Sequence, residues 1–265
     1  MKVKAQAILF VIMMTLSYCC SALESAQPIL PSSEVLTLIQ ANRDNPETLA
    51  KLLPIVSHPI KSSHYEQILM TQLRDQKTDT KNFRELSKKI GTLLVNKVVE
   101  CLAAKNVNIN TPVSRFQGLE LNGNIELVSI MRSGDALVDT FINHFPKAKV
   151  SKILVQRDEK TAKPNFQYMK LTPTIAQGNQ IIITEPMIAT GGSLDMAISL
   201  LKEKGVKEEN ILVASICAAP EGLLHLNTKF PKIKIVMTAL DEKLNDKKYI
   251  VPGLGDFGDR YFGTH

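Results

Sequence analysis

Residues 185–193 read Glu-Pro-Met-Ile-Ala-Thr-Gly-Gly-Ser, placing one carboxylate, two hydroxyls and two adjacent glycines within nine positions. The apolar stretch 181–183 before them predicts a strand, and Pro186 predicts its end. Thr190-Gly191-Gly192-Ser193 then forms a turn leading straight into an apolar helical pattern. Backbone N–H groups at such a helix start lack intrahelical partners, and the helix dipole adds partial positive charge there. Two glycines let the backbone approach an anion closely and take up positive φ. The Thr190 and Ser193 hydroxyls suit phosphate oxygens, and Glu185 suits a pair of vicinal hydroxyls. A phosphate site beside a diol site describes a ribose 5-phosphate. Taken alone, the stretch is equally a plain turn with an N-cap.

Such a cradle needs a strand and a helix behind it, and the surrounding chain alternates between the two. Short apolar runs at 125–131, 152–156, 180–183, 211–216 and 233–240 predict strands. Helices are predicted over 135–143, 194–204 and 221–228. In the middle one, Leu194, Ala197, Ile198 and Leu201 recur at i, i+3, i+4 and i+7, which makes one buried face. This alternation implies an α/β fold with a mainly parallel sheet covered on both faces, whose ligands bind at the carboxyl ends of strands. Residues 64–105 are helical by their apolar spacing, with a helix start at Asp79-Thr80. Ser32-Ser33 predicts the cap of a short helix through Val35, Leu36 and Ile39.

The chain has 265 residues, 44% hydrophobic and 5% aromatic with no Trp, which suits a large domain with an aliphatic core. Its net charge of +6 is dispersed, and this favours an anionic small substrate over a nucleic-acid platform. Cys101 and Cys217 read as small buried side chains rather than a disulfide or metal pair. His58, His64, His144, His225 and His265 lack metal-ligand spacing and read as surface or structural. Lys2, Lys4, the apolar run 5–14 and the small residues up to Ala22 match a secretory signal peptide cut after Ala22. The expectation is therefore an exported (periplasmic or secreted) protein, with 23–57 as an extension and 58–265 as the domain. The alternative is a non-functional signal and a cytoplasmic chain. The apolar run is too short for a membrane span, and no stable membrane association is expected.

The motifs together resemble the type I phosphoribosyltransferases, and within them the uracil phosphoribosyltransferases, from about residue 58 to 265. Glu185-Pro186-Met187-Ile188-Ala189-Thr190-Gly191-Gly192-Ser193 is similar to that family's Asp-Pro-Met-Leu-Ala-Thr-Gly-Gly-Ser. Ser129-Ile130-Met131-Arg132-Ser133-Gly134 resembles its Pro-Ile-Leu-Arg-Ala-Gly loop. Arg157-Asp158-Glu159 resembles the arginine-bearing loop after the next strand. Residues 249–260, containing Gly253-Leu254-Gly255-Asp256-Phe257-Gly258, resemble the C-terminal uracil segment.

The resemblance implies a Rossmann-like type I phosphoribosyltransferase fold with an N-terminal helical region and a C-terminal base-binding loop. It implies transfer of the phosphoribosyl group of phosphoribosyl diphosphate (PRPP) to uracil, giving UMP. Residues 185–193 with Arg132, Arg157 and Asp256 would bind PRPP, the last three as catalytic residues. Ile250, Gly255, Asp256 and Phe257 would bind uracil, largely through the main chain. Mg²⁺ would enter with PRPP, with Asp256 acting through a water. A homo-oligomer, dimer or higher, and GTP activation are further implications. The chain departs from the pattern at Glu185, at Phe257 beside the base and at Asp135-Ala136. Those departures leave an alternative: a degenerate member that binds nucleotide or ribose phosphate, acting as a regulator or exported binding protein. Residues 218–222 after the fourth strand either line the pocket or simply start a helix.

Overall fold

The computed structural model describes residues 32–43, 45–57, 63–157 and 164–264. The N-terminal helices are α1 (Ser32–Ala41), α2 (Pro46–Leu52), α3 (His64–Arg74) and α4 (Thr80–Cys101). Next come β1 (Ala104–Asn110), β2 (Arg115–Leu121), β3 (Ile125–Met131), α5 (Asp135–His144), β4 (Lys149–Arg157) and β5 (Pro164–Lys170). The central elements are β6 (Gln180–Thr184), β7 (Met187–Ile188), α6 (Gly192–Glu203), β8 (Ile211–Ala218), α7 (Pro220–Lys229) and β9 (Lys234–Leu240). Short pieces β10 (Lys243–Leu244), β11 (Ile250–Val251) and α8 (Phe257–Phe262) close the chain.

Local rules set the helix starts. Ser63 forms a full capping box with Glu66 at the start of α3, and Asp79 accepts from the Asn82 amide at the start of α4. The helical region expected over 64–105 is two helices separated at 75–79, and the second begins at the expected Asp79-Thr80 start.

Seven strands form one sheet, with β3 between β4 and β6, and β8 between β6 and β9. Every pairing in it is parallel except that of β5, which runs antiparallel on the β4 edge. β6 and β7 lie successively along the same edge of β8, interrupted at Glu185-Pro186. Because side chains alternate along a strand, each inner strand feeds two cores. Ile181, Ile183 and Val213 pack with Leu194, Ile198 and Leu201 of α6 on one face, where Ile39 and Leu49 of α1 and α2 join them. Ile182, Leu212 and Ala214 pack with Phe83, Ile90 and Leu94 of α4 and Leu137 and Phe141 of α5 on the other. Val56 bridges Ile235, so the segment expected as an extension is docked on the sheet.

Six strands escaped the sequence reading: the hairpin β1–β2, the edge strand β5 and the two-residue β7, β10 and β11. Their burial patterns explain it. β1 and β5 are almost wholly exposed, so the alternation of Val107 and Ile109 among asparagines in one, and of Phe166 and Tyr168 in the other, marks no core face.

Candidate active site

The cradle forms where β6 stops. Glu185 donates its amide to the Ala214 carbonyl at 3.2 Å, and Pro186 offers its carbonyl to Ile216 and Cys217. The strand resumes for Met187 and Ile188, and the chain turns at Thr190 and Gly191. Gly191 has φ +79°, and a Cβ there would lie 3.0 Å from the Gly222 carbonyl, so glycine is required on both counts. The N-cap of α6 is Gly191, which has no side chain to bond the first amides of the helix. Thr190 Oγ1 lies 3.3 Å from the Gly192 amide. Ile188 and Ala189 bury their side chains in the two cores, which leaves their backbone to any ligand, and Met187 packs part-buried against the α4 core.

The Arg132 loop packs directly on this strand end. A Cβ at Gly134 would sit 2.3 Å from the Thr184 carbonyl. Ser133 Oγ donates to Glu185 Oε1 at 3.1 Å, and Glu185 is buried. Asp135, one of the departing residues, is held by Ser129 at 2.6 Å and Lys152 at 2.9 Å. Arg132 itself is exposed. It donates to Asp259 at 2.9 Å and Thr264 at 3.2 Å, both in the C-terminal segment. Arg157 is the last residue of β4; its side chain and the loop 158–163 lie outside the described residues.

The C-terminal segment reaches the site as a turn followed by α8. Asp256 is the N-cap of α8 and accepts from the Asp259 amide at 2.9 Å. Gly255, at φ +82°, and Asp256 are both exposed. The Ile250 side chain is buried in the α4 core. The Phe257 side chain, expected beside the base, is turned into the core. It is buried against Phe83 at 5.1 Å and stacks on Tyr261 at 5.8 Å. The helix over 257–262 was also unforeseen, because the glycines argued against one.

A buried network holding this segment went unrecognised in the sequence. Arg74 at the end of α3 donates to both oxygens of Asp241 after β9, at 2.8 and 2.5 Å, and to the Gly253 carbonyl at 2.6 Å. The Gly253 amide returns a bond to Asp241 at 2.9 Å, and the Cys217 thiol adds another at 3.1 Å. Burial by itself lowers the Arg74 pKa, but its hydrogen bonds to Asp241 and Cys217 and the Asp241 charge carry it above its ordinary value. Burial, then the Asp241 charge, push the Cys217 thiol well up, so it stays a donor. Nothing local marks Arg74 and Asp241 as partners across 167 positions. A cleft of about 580 Å³ opens between the 74–80 turn and residues 252–260.

Elsewhere, residues 218–222 resolve as a helix start that braces the cradle, since a Cβ at Gly222 would lie 2.3 Å from the Ala189 carbonyl. Cys217 is buried as expected and Cys101 only half-buried. Among the described residues no His, Cys, Asp and Glu cluster has the makings of a metal site.

The uracil phosphoribosyltransferase family model matches residues 60–264. The chain belongs to the uracil phosphoribosyltransferase family. A uracil phosphoribosyltransferase of Dictyostelium discoideum is 41% identical over 206 residues, covering 77% of this chain and 95% of its own. One from Finegoldia magna is 44% identical over 196 residues, 74% and 92% of the two chains. The solved AQ2163 protein of Aquifex aeolicus superposes with a TM-score of 0.69 at 30% identity, over 76% and 96% of the chains. The type I phosphoribosyltransferase fold expected from the motifs is therefore the fold observed. Phosphoribosyltransferases of this fold generally use Mg²⁺ with PRPP. The exported location expected from residues 1–22 is corrected: the matched relatives are uracil phosphoribosyltransferases, the family model begins at residue 60, and nothing in them supports an export signal. The signal-like segment and its cleavage after Ala22 lie outside the described residues.

Proposed function

We propose that the chain transfers the phosphoribosyl group of PRPP to uracil, releasing UMP and diphosphate. The observation that carries this reading is that three strand-end segments converge and bond to one another. Ser133 joins the Arg132 loop to the cradle, and Arg132 joins that loop to the C-terminal turn. Breaking the anomeric bond builds positive charge on the ribose and negative charge on the leaving diphosphate. Arg132, Arg157 and the amides of their loops take the diphosphate. The amides at 190–193 and the Thr190 and Ser193 hydroxyls take the 5-phosphate, and Glu185 takes the ribose hydroxyls. Main-chain groups of Ile250, Gly255 and Phe257 read uracil, and cytosine is rejected because its amino group would set a donor against a donor. Holding both substrates aligned supplies much of the rate, and no side-chain nucleophile is required.

Mg²⁺ supplies charge neutralisation of the diphosphate in this reading. The absence of a carboxylate cluster among the described residues suits a cation that keeps waters and binds mainly through substrate phosphates. The exposed Asp256 is the residue assigned to it, through water. A homo-oligomer fits the β1–β2 hairpin, whose Ile109, Val113, Phe116 and Leu119 are all exposed. GTP activation belongs to the same reading with no residue assigned.

Purified protein given uracil, PRPP and Mg²⁺ should release diphosphate and form UMP. PRPP binding without turnover would replace this reading with that of a ribose-phosphate-binding regulator, which no observation now favours. Turnover with hypoxanthine or orotate but not uracil would change the base.

A further inference from the structure

We infer that Ser133 is a positioning residue for Glu185, holding the ribose-binding carboxylate in register with the Arg132 loop. This rests on the reading of residues 185–193 as the ribose 5-phosphate cradle. The backbones on both sides are fixed. Glu185 is anchored by its amide to Ala214 at 3.2 Å, and Gly134 donates to the Ile130 carbonyl at 2.9 Å. The loop and the strand end touch so closely that a Cβ at Gly134 would meet the Thr184 carbonyl at 2.3 Å. What backbone packing leaves unset is the Glu185 side chain, which has one more rotatable bond than aspartate and loses more rotamer freedom on ordering.

Ser133 Oγ donates to Glu185 Oε1 at 3.1 Å inside this contact. A hydroxyl donor to a largely buried carboxylate is a charge-assisted bond, strong enough to select one rotamer. The neighbouring carboxylate does not compete for the hydroxyl, since Asp135 is engaged by Ser129 and Lys152.

The test uses the full chain as wild type, Ser133→Ala, Glu185→Asp and the double variant. PRPP binding with Mg²⁺ is measured by titration calorimetry, alongside KM for each substrate. Ser133→Ala should weaken PRPP binding about tenfold and move the uracil KM by less than about twofold. The double variant should be less impaired than the product of the single losses, because the shorter acid no longer uses the hydroxyl. Ser133→Ala binding PRPP like the wild type would overturn the inference. So would losses that multiply in the double, or a fall shared equally by uracil and PRPP. Wild type that binds no PRPP would remove the functional reading as well; wild type that binds it, with Ser133→Ala unaffected, removes this inference alone.

Discussion

The Arg132 guanidinium donates to the Asp259 carboxylate at 2.9 Å, tying the loop after β3 to the first turn of α8. The diphosphate assigned to Arg132 therefore competes with Asp259 for the same donor. Both side chains are substantially exposed, and such a pair is worth about 0.2–1 kcal/mol. Asp259→Asn should accordingly tighten PRPP binding by up to about fivefold. Arg132→Ala should lower kcat/KM by about 10²–10³, the loss typical of one charge-stabilising donor. Calorimetry and steady-state kinetics read the two effects separately, and weaker PRPP binding in Asp259→Asn would contradict the competition.

The cradle makes a backbone prediction at Gly191. Alanine there meets a left-handed φ, which costs about 1–2 kcal/mol, and a carbonyl 3.0 Å away. Gly191→Ala should lower the melting temperature and also abolish measurable PRPP binding. Gly123, left-handed but with nothing near its Cβ, should tolerate alanine with the strain cost alone and normal PRPP binding.

Asp241 is nearly inaccessible and holds Arg74, Gly253 and Cys217. Removing one partner of a buried ion pair strands the other, at about 3–5 kcal/mol. Asp241→Ala should lose stability on that scale in denaturant titration. At temperatures where the variant stays folded, its uracil KM should rise more than its PRPP KM, because Gly253 leads into the base turn. An unchanged uracil KM would separate this network from the base site.

Phe257 gives the opposite split. Its ring is core, so Phe257→Ala should cost about 3–5 kcal/mol of stability. Phe257→Leu keeps most of the volume and should leave the uracil KM near its wild-type value. A large KM change in the leucine variant would place the ring at the base after all.

Acid sensitivity follows from Asp195, behind the cradle. Burial raises its pKa, but hydrogen bonds from Lys229 at 2.5 Å and His225 at 2.7 Å outweigh that and hold it below the usual carboxylate range. A depressed folded-state pKa adds stability above the unfolded value, about 3.9, and loses it as pH falls through the folded value. The melting-temperature gap between wild type and Asp195→Asn should be largest near pH 6 and narrow toward about pH 3. A gap that stays constant with pH would assign the loss to packing.

The amino-acid sequence by itself determined the α/β class, the cradle at 185–193 and the strand-end loop at Arg132. Those features are local: a buried strand, a glycine turn and a helix start announce themselves within a dozen residues. Tertiary structure alone decided which side of the C-terminal turn faces the core. It put the Phe257 ring against Phe83 and paired Arg74 with Asp241 and Ser133 with Glu185. Charges and hydroxyls carry no periodic signature of a distant partner, and a ring beside glycines turns inward or outward only once the α4 core is there to receive it. The exposed strands β1 and β5 stayed hidden for a related reason: their short alternations, Val107 with Ile109 and Phe166 with Tyr168, face no core that would set them apart from a polar loop.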